Sequence, residues 1–270
     1  MYNKRLTKES IYASYGIRYD NKAGKILAPF FGWIKTLLCN GNTKVGKTVY
    51  TWSTLAGNES YHVEFKAENV CLDINGTCPV NCPGCYAQTG RYNADNVIEA
   101  NARKTFLSVA YLDFVKRAII AQIHADNIKL CRIHASGDFF SADYINAWHE
   151  IIQACPACRF WTYTKNADAE NAFDDLENAN IVKSVLPGIG INFGHCDYIL
   201  YAYDALTAAG ENVYVCRCGI DQNQHCVNCK GCTENKYVLF VEHSTAYKAE
   251  NDPLFPAVKA MIESQKDASI

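Results

Sequence analysis

Three cysteines, Cys78, Cys82 and Cys85, stand in a single CxxxCxxC run with Pro79, Pro83 and Gly84 between them to shape the turns. Iron–sulfur clusters are held by cysteine thiolates, so three cysteines around four irons leave one iron without a protein ligand. An open metal position lets a substrate or cofactor bind directly, which separates catalytic metal sites from closed structural ones. The competing chemistry is a zinc knuckle that borrows His124 or His134, although no fourth ligand stands nearby at zinc-finger spacing. A second group, Cys216, Cys218, Cys226, Cys229 and Cys232, offers more thiols than the four a closed site takes. Its tight CxxCxxC half suits an auxiliary 4Fe-4S cluster, and its two close pairs also permit zinc. His225 and the spare thiol of Cys216 or Cys218 then stand beside the ligands.

Other polar residues cluster at the ends of expected strands. Alternation over 128–135 puts Arg132, His134 and Ser136 on one face, expected to look inward, with Cys131, Ile133 and Ala135 on the other. His134 suits proton transfer or a hydrogen-bonded structural role. Thr164 and Lys165 close the next strand, and Asn192 lies between Ile191 and Phe193. Lys165 suits either an anion or plain exposure beside Asn166 and Asp168. The scattered thiols, including the Cys155-Pro-Ala-Cys158 pair, read as buried small hydrophobes. The run Gly41 to Thr48 matches the phosphate-loop pattern GxxxxGK[ST]. A phosphate loop opens a helix, whereas Val49-Tyr50-Thr51-Trp52 reads as strand, so a glycine-rich hairpin is expected.

The elements that must position these residues follow from patterning. With 270 residues and 49% hydrophobic content the chain can bury a substantial core, and it suits one barrel-sized domain with an appendage. A net charge of -2 and a pI of about 6.4 provide no general field for nucleic acid or an acidic membrane. The best apolar run, 26–34, is short and broken by Pro29 and Gly32, so neither a signal peptide nor a membrane span is read, and a reducing cytoplasmic setting is expected for the free thiols. Residues 1–60 read as a β-rich N-terminal extension. Residues 61–212 alternate strand-like and helix-like runs as parallel βα units do. Residues 213–270 form a cysteine-rich cap and a closing helix near Pro253. Strands are expected at 61–65 with 70–74, then 128–135, 158–164, 181–186, 189–193 and 212–215. Helices are expected at 95–125, from an N-cap at Ser141, at 168–176, and at 198–209 before Gly210.

Cys78-Pro-Val-Asn-Cys82-Pro-Gly-Cys85 resembles the cluster motif of the radical S-adenosylmethionine superfamily. The resemblance implies a partial (β/α) TIM-like barrel with the loop after its first strand. It also implies a 4Fe-4S cluster whose open iron chelates S-adenosylmethionine, and reductive cleavage to methionine and a 5'-deoxyadenosyl radical that abstracts hydrogen from a substrate. The electron then comes from an external donor such as a flavodoxin or ferredoxin. Ser136-Gly137-Asp138 falls where the superfamily binds the methionine amino group, and Lys165 is placed to neutralise the carboxylate. The superfamily usually has an aromatic before the third cysteine. Here Gly84 stands there, and Tyr86 is the aromatic available in its place.

A narrower resemblance runs over about residues 40–245. Asn42-Thr-Lys-Val-Gly46, Cys82-Pro-Gly-Cys85-Tyr86-Ala87, Arg132-Ile-His-Ala-Ser-Gly-Asp138-Phe-Phe-Ser141 and Tyr163-Thr-Lys165 together resemble the phage and plasmid family called gene product 88. That family implies an architecture and no particular substrate. The competing class is a non-enzymatic, zinc-stabilised module that binds nucleic acid or protein.

Overall fold

The computed structural model describes residues 6–41, 45–80, 82, 85–186, 188–217, 226, 229–242 and 248–265. The chain opens with helix α1 (Lys8–Ser14) and a three-stranded antiparallel meander of β1 (Tyr19–Asp20), β2 (Lys25–Ala28) and β3 (Gly32–Lys35). Two short strands, β4 (Cys39–Asn40) and β5 (Val49–Thr51), pair antiparallel as a hairpin. A second hairpin, β6 (Ser60–Phe65) with β7 (Val70–Asn75), precedes the first cysteine run. Helices α2 (Asp95–Ala110) and α3 (Leu112–Asp126) lead to β8 (Leu130–Arg132), α4 (Ala142–Ala154), β9 (Arg159–Thr164) and β10 (Ala179–Lys183). The remainder is β11 (Val185–Leu186), β12 (Gly190–Ile191), β13 (Phe193–Gly194), α5 (Cys196–Ala208), β14 (Val213–Val215), α6 (Gly231–Glu234), β15 (Tyr237–Val241) and α7 (Phe255–Ser264).

The central sheet has the order β10-β9-β8-β5-β4, and β5, β8, β9 and β10 run parallel. The first parallel strand is therefore β5, from the part read as leader. The residues expected to start the series, 61–65 and 70–74, form the β6–β7 hairpin instead, because they pair with each other in full register from Ser60↔Asn75 to Phe65↔Val70. The β5–β8 pairing continues past the strand ends: Trp52 N donates to Arg132 O, Ala135 N to Trp52 O, and Thr54 N to Ser136 O. A further set, β13-β15-β14, is also parallel, and Lys183 N donates to Lys236 O next to it.

Register sorts the central sheet into two faces. Cys131, Phe160 and Ile181 point to a helical layer of α1, α3 and α4, where Trp52, Ile119, Trp148 and Ile152 are fully buried. Leu130, Trp161, Tyr163 and Val182 point the other way, onto a cluster with Tyr214, Cys216, Cys232 and Val238. Short α6 is fixed to that second face: Arg159 Nη2 donates to Thr233 O at 2.6 Å, and Asn180 Nδ2 to Cys232 O at 2.8 Å.

Several local expectations are met. Ser141 caps α4, accepting from Tyr144 N at 3.2 Å, and Gly210 follows α5 at φ +81°. Others differ. The single helix expected over 95–125 breaks at Tyr111, which is 38% exposed, while Leu107, Val115 and Ile119 are buried. A four-residue step turns about 40° beyond one full turn, so a row at that spacing winds off the core, and a break resets the face. The helix expected over 168–176 is a 3-10 turn at Ala167–Ala169 followed by further turns, started by the Asn166 side chain accepting from Asp168 N. Around the phosphate-loop match, Gly41 N donates to Val49 O, and strand β5 follows where a phosphate loop requires a helix. Asn42, Thr43 and Lys44 lie outside the described residues.

Candidate metal centre at the edge of the parallel sheet

Because β5, β8, β9 and β10 are parallel, their C-terminal ends share one edge, and the first cysteine run is tied to it. Thr77 N donates to Leu55 O and Cys78 N to Gly57 O, so the return of the β6–β7 hairpin sets the loop just beyond β5. Cys78, Cys82 and Cys85 are partly buried, Cys85 N donates to Cys82 O, and Gln88 N to Cys85 O. Gly84, with Asn81 and Pro83, lies outside the described residues. Burial, with the nearby Asp138 carboxylate and Cys85, pushes the Cys78 thiol up to about 12, against a hydrogen bond from the Gly57 backbone and the Lys165 charge, which lower it. A thiol in that setting would release its proton to solvent on binding a metal cation, since the cation supplies the compensation that burial withholds from a free thiolate.

Asp138 is the hub of this edge. It is 4% exposed, and its carboxylate accepts from Thr164 Oγ1 at 2.6 Å, Lys165 N at 2.8 Å and Phe139 N at 2.8 Å. Its own N donates to Thr77 Oγ1, which stands 2.8 Å from Thr54 Oγ1 and donates to Leu55 O. Through its carboxylate and its own N–H, this one residue thus ties the ends of β8 and β9 to the stretch just before Cys78. Burial raises its pKa above the usual carboxylate value, opposed by the Thr164, Lys165 and Phe139 donors and the Lys165 charge. Gly137 takes φ +82°, and a Cβ there would meet Thr54 Oγ1 at 1.9 Å. The close approach that this glycine permits is made to Thr54 and Thr77 of its own chain.

The other expected residues divide. Tyr86 lies at the edge: its Oη donates to Ala135 O at 2.8 Å and accepts from Arg132 Nη2 at 3.0 Å. Ser136 is buried with no partner for Oγ among the described residues, as is Arg132 Nε. Thr164 is fully buried on Asp138, and Lys165 is partly buried beside it. Asn192 stands apart from the loop and knits strands, its Nδ2 donating to Val238 O and its carbonyl accepting from Phe240 N. His134 leaves the inward face predicted for it. At φ +54° the strand alternation is broken, and the ring goes into the helical core against Phe139, Tyr144 and Trp148. Its Nε2 is 3.0 Å from Tyr144 Oη, which accepts from Trp52 Nε1. Burial, then the Arg132 charge, lowers its pKa to about 3.

On the second face of the sheet, Cys216, Cys226, Cys229 and Cys232 join one cluster with Trp161, Tyr163 and Tyr214. Tyr163 Oη donates to Cys232 Sγ at 2.9 Å, and Tyr214 Oη is 3.2 Å from Cys229 Sγ. The Arg132 guanidinium lies 4.9 Å above the Tyr163 ring, between that cluster and Tyr86. Cys218 and His225 lie outside the described residues. Among the described residues no three His, Cys, Asp or Glu side chains gather as a single-ion site. Sequence reasoning missed Thr54, Thr77 and Tyr214; Tyr163 carried a signal, since it begins the Tyr163-Thr-Lys165 motif.

The result is a mixed α/β protein with one cysteine loop at the edge of a parallel sheet and a second thiol group on one sheet face. The chain belongs to the family described as Gene product 88, whose model matches residues 36–243. It is similar to the Gene 88 protein of Mycobacterium phage L5, 51% identical over 37 residues, which cover 14% of this chain and 16% of that protein. To the Gene 88 protein of Mycobacterium phage D29 it is 32% identical over 105 residues, covering 34% of this chain and 42% of that protein. The matched stretches thus span less than half the length of either relative. No solved structure matches. Among the described residues no helix is long and apolar enough to cross a membrane.

Proposed function

We propose that this chain is a radical S-adenosylmethionine enzyme, with Cys78, Cys82 and Cys85 holding a 4Fe-4S cluster open at one iron and the parallel strands β5, β8, β9 and β10 forming part of a (β/α) barrel. The observation that carries the reading is placement: the CxxxCxxC loop leaves the C-terminal edge of a parallel sheet, where βα architectures collect their chemistry, and is tied there through Thr77 and Asp138. The donor chemistry suits the group, since one short loop offers three thiols, and Ser136 Oγ and Arg132 Nε, at the end of β8, are buried without a partner among the described residues. When bound, the cluster supplies the electron that splits S-adenosylmethionine into methionine and a 5'-deoxyadenosyl radical.

The chain's own residues then divide the remaining work. Asp138 acts chiefly as a positioning residue, because three donors already engage its carboxylate, and it fixes the strand ends beneath the loop. Ser136 Oγ offers a hydroxyl to the cofactor's polar end, and Lys165, next to Asp138, offers charge for its carboxylate. Tyr86, whose hydroxyl is held by Ala135 O and Arg132, is the aromatic available next to Cys85. Electrons come from an external donor of the flavodoxin or ferredoxin type.

Anaerobically reconstituted protein is expected to bind S-adenosylmethionine and release methionine from it under dithionite, and Cys82→Ala to abolish that release. Reconstituted wild-type protein that takes up iron and sulfide yet leaves S-adenosylmethionine intact overturns the reading.

A further inference from the structure

The second thiol group lies on the sheet face opposite the helical layer, and the aromatic side chains around it are directed at sulfur. Tyr163, on β9, donates its hydroxyl to Cys232 Sγ at 2.9 Å, and Tyr214, on β14, places its hydroxyl 3.2 Å from Cys229 Sγ. A neutral thiol is a weak acceptor, whereas a metal-bound thiolate is a strong one, so two phenols aimed at two sulfurs suit thiolates. Tyr214 is fixed in that pose. A Cβ on Gly231 would meet its ring carbon Cε1 at 2.1 Å, so glycine lets the start of α6 pack flat against the ring. Tyr163 is fixed likewise by the Arg132 guanidinium over its face. The four described thiols come from three places, the end of β14, the following loop and α6, and belong to one apolar cluster in which burial raises the Cys232 pKa and Cys226 and Cys229 are near enough to raise it further. Arg159 and Asn180 bind the backbone of α6 to the sheet, so the group is built into the fold.

We propose that Cys216, Cys226, Cys229 and Cys232 form a second, closed thiolate site that holds iron and sulfide, and that Tyr163 and Tyr214 raise its reduction potential by hydrogen bonding to the Cys232 and Cys229 sulfurs. The tight CxxCxxC spacing at 226–232 and the phenol donors select a redox centre over a structural zinc. Donors to a thiolate sulfur favour the more negatively charged, reduced state, and so does the Arg132 cation beside Tyr163. The site does not depend on the reading of the Cys78 loop.

The test uses the full chain with Cys78, Cys82 and Cys85 all replaced by alanine, purified and reconstituted anaerobically. It is expected to retain iron and acid-labile sulfide in equal amounts and to show a one-electron reduction by potentiometry. On that background Tyr163→Phe and Tyr214→Phe each leave the iron and sulfide content unchanged and move the midpoint to a more negative potential. Zinc in place of iron, or no iron and sulfide at all, overturns the site; a midpoint that neither phenylalanine moves overturns the role of the tyrosines. The converse variant, with Cys226, Cys229 and Cys232 replaced by alanine, reports on the first loop alone. If that protein holds no iron while the first retains it, the reading of the Cys78 loop fails and the present inference stands.

Discussion

The two cysteine groups differ in what surrounds them more than in their thiols. At the Cys78 loop the sulfurs are partly buried at a sheet edge, and the dense hydrogen bonding lies beneath them, centred on Asp138. At the C-terminal group the hydrogen bonds reach the sulfurs themselves, through Tyr163 and Tyr214, and α6 closes over the sheet face. Under the proposed readings the first arrangement would leave a metal approachable while holding its loop in register, and the second would enclose one, as an open catalytic site differs from a closed one.

The largest effect that separates the two should come from the thiols. Cys82→Ala is expected to remove S-adenosylmethionine cleavage while leaving the unfolding free energy of the metal-free protein in urea within the scatter of surface substitutions, about 0.5 kcal/mol, because Cys82 sits in a loop outside the core. Cleavage that survives Cys82→Ala would move the chemistry away from this loop.

Next comes the keystone beneath it. Asp138→Ala strands Thr164 Oγ1 and the Lys165 and Phe139 amides, and should cost about 3–5 kcal/mol in urea unfolding. Asp138→Asn keeps an acceptor and should cost less than half as much. Equal losses for both would mean that the hydrogen bonds are not what holds the strand ends.

A smaller, pH-dependent effect distinguishes the sheet edge from the core behind it. The native state keeps His134 neutral down to about pH 3, whereas the unfolded chain takes up a proton near 6.5. Its contribution is therefore complete above pH 6.5 and falls by about 1.4 kcal/mol per pH unit as pH drops from 6.5 toward 3. Asp138 acts in the opposite sense just above the ordinary carboxylate value of 3.8, since burial raises its folded pKa, so its contribution is lost as pH rises through that folded pKa. Denaturant unfolding of His134→Gln across pH 4–7 should lack the slope that the wild type shows; a slope unchanged by the substitution would contradict the neutral, buried imidazole. The smallest effect is expected for Tyr86→Phe, which removes an exposed hydroxyl bonded to Ala135 O and Arg132 and should cost about 1 kcal/mol or less in the same assay.

Much of this was legible in the residues. The cysteine spacings, the cap at Ser141, the end of α5 at Gly210 and the hairpin at the phosphate-loop match are local signals, and local chemistry sets them. What escaped depends on distant partners. Val49–Thr51 read as leader because a complete hairpin separates it from the cysteine loop, and only pairing with β8 makes it a sheet strand. His134 was placed by alternation, which holds while φ stays extended, and its left-handed backbone turns the ring into the core. Thr54 and Thr77 carry no motif, and their role appears only when Gly137 packs against them.

The most direct test of the central claim is electron paramagnetic resonance of the dithionite-reduced protein that lacks Cys226, Cys229 and Cys232, recorded before and after addition of S-adenosylmethionine. A signal from a reduced cluster that changes shape when the cofactor binds is the expected result, because under the proposed function the cofactor would take the open iron at the Cys78 loop. A signal that S-adenosylmethionine leaves unchanged would mean that the loop holds a closed cluster, and the catalytic reading would fall.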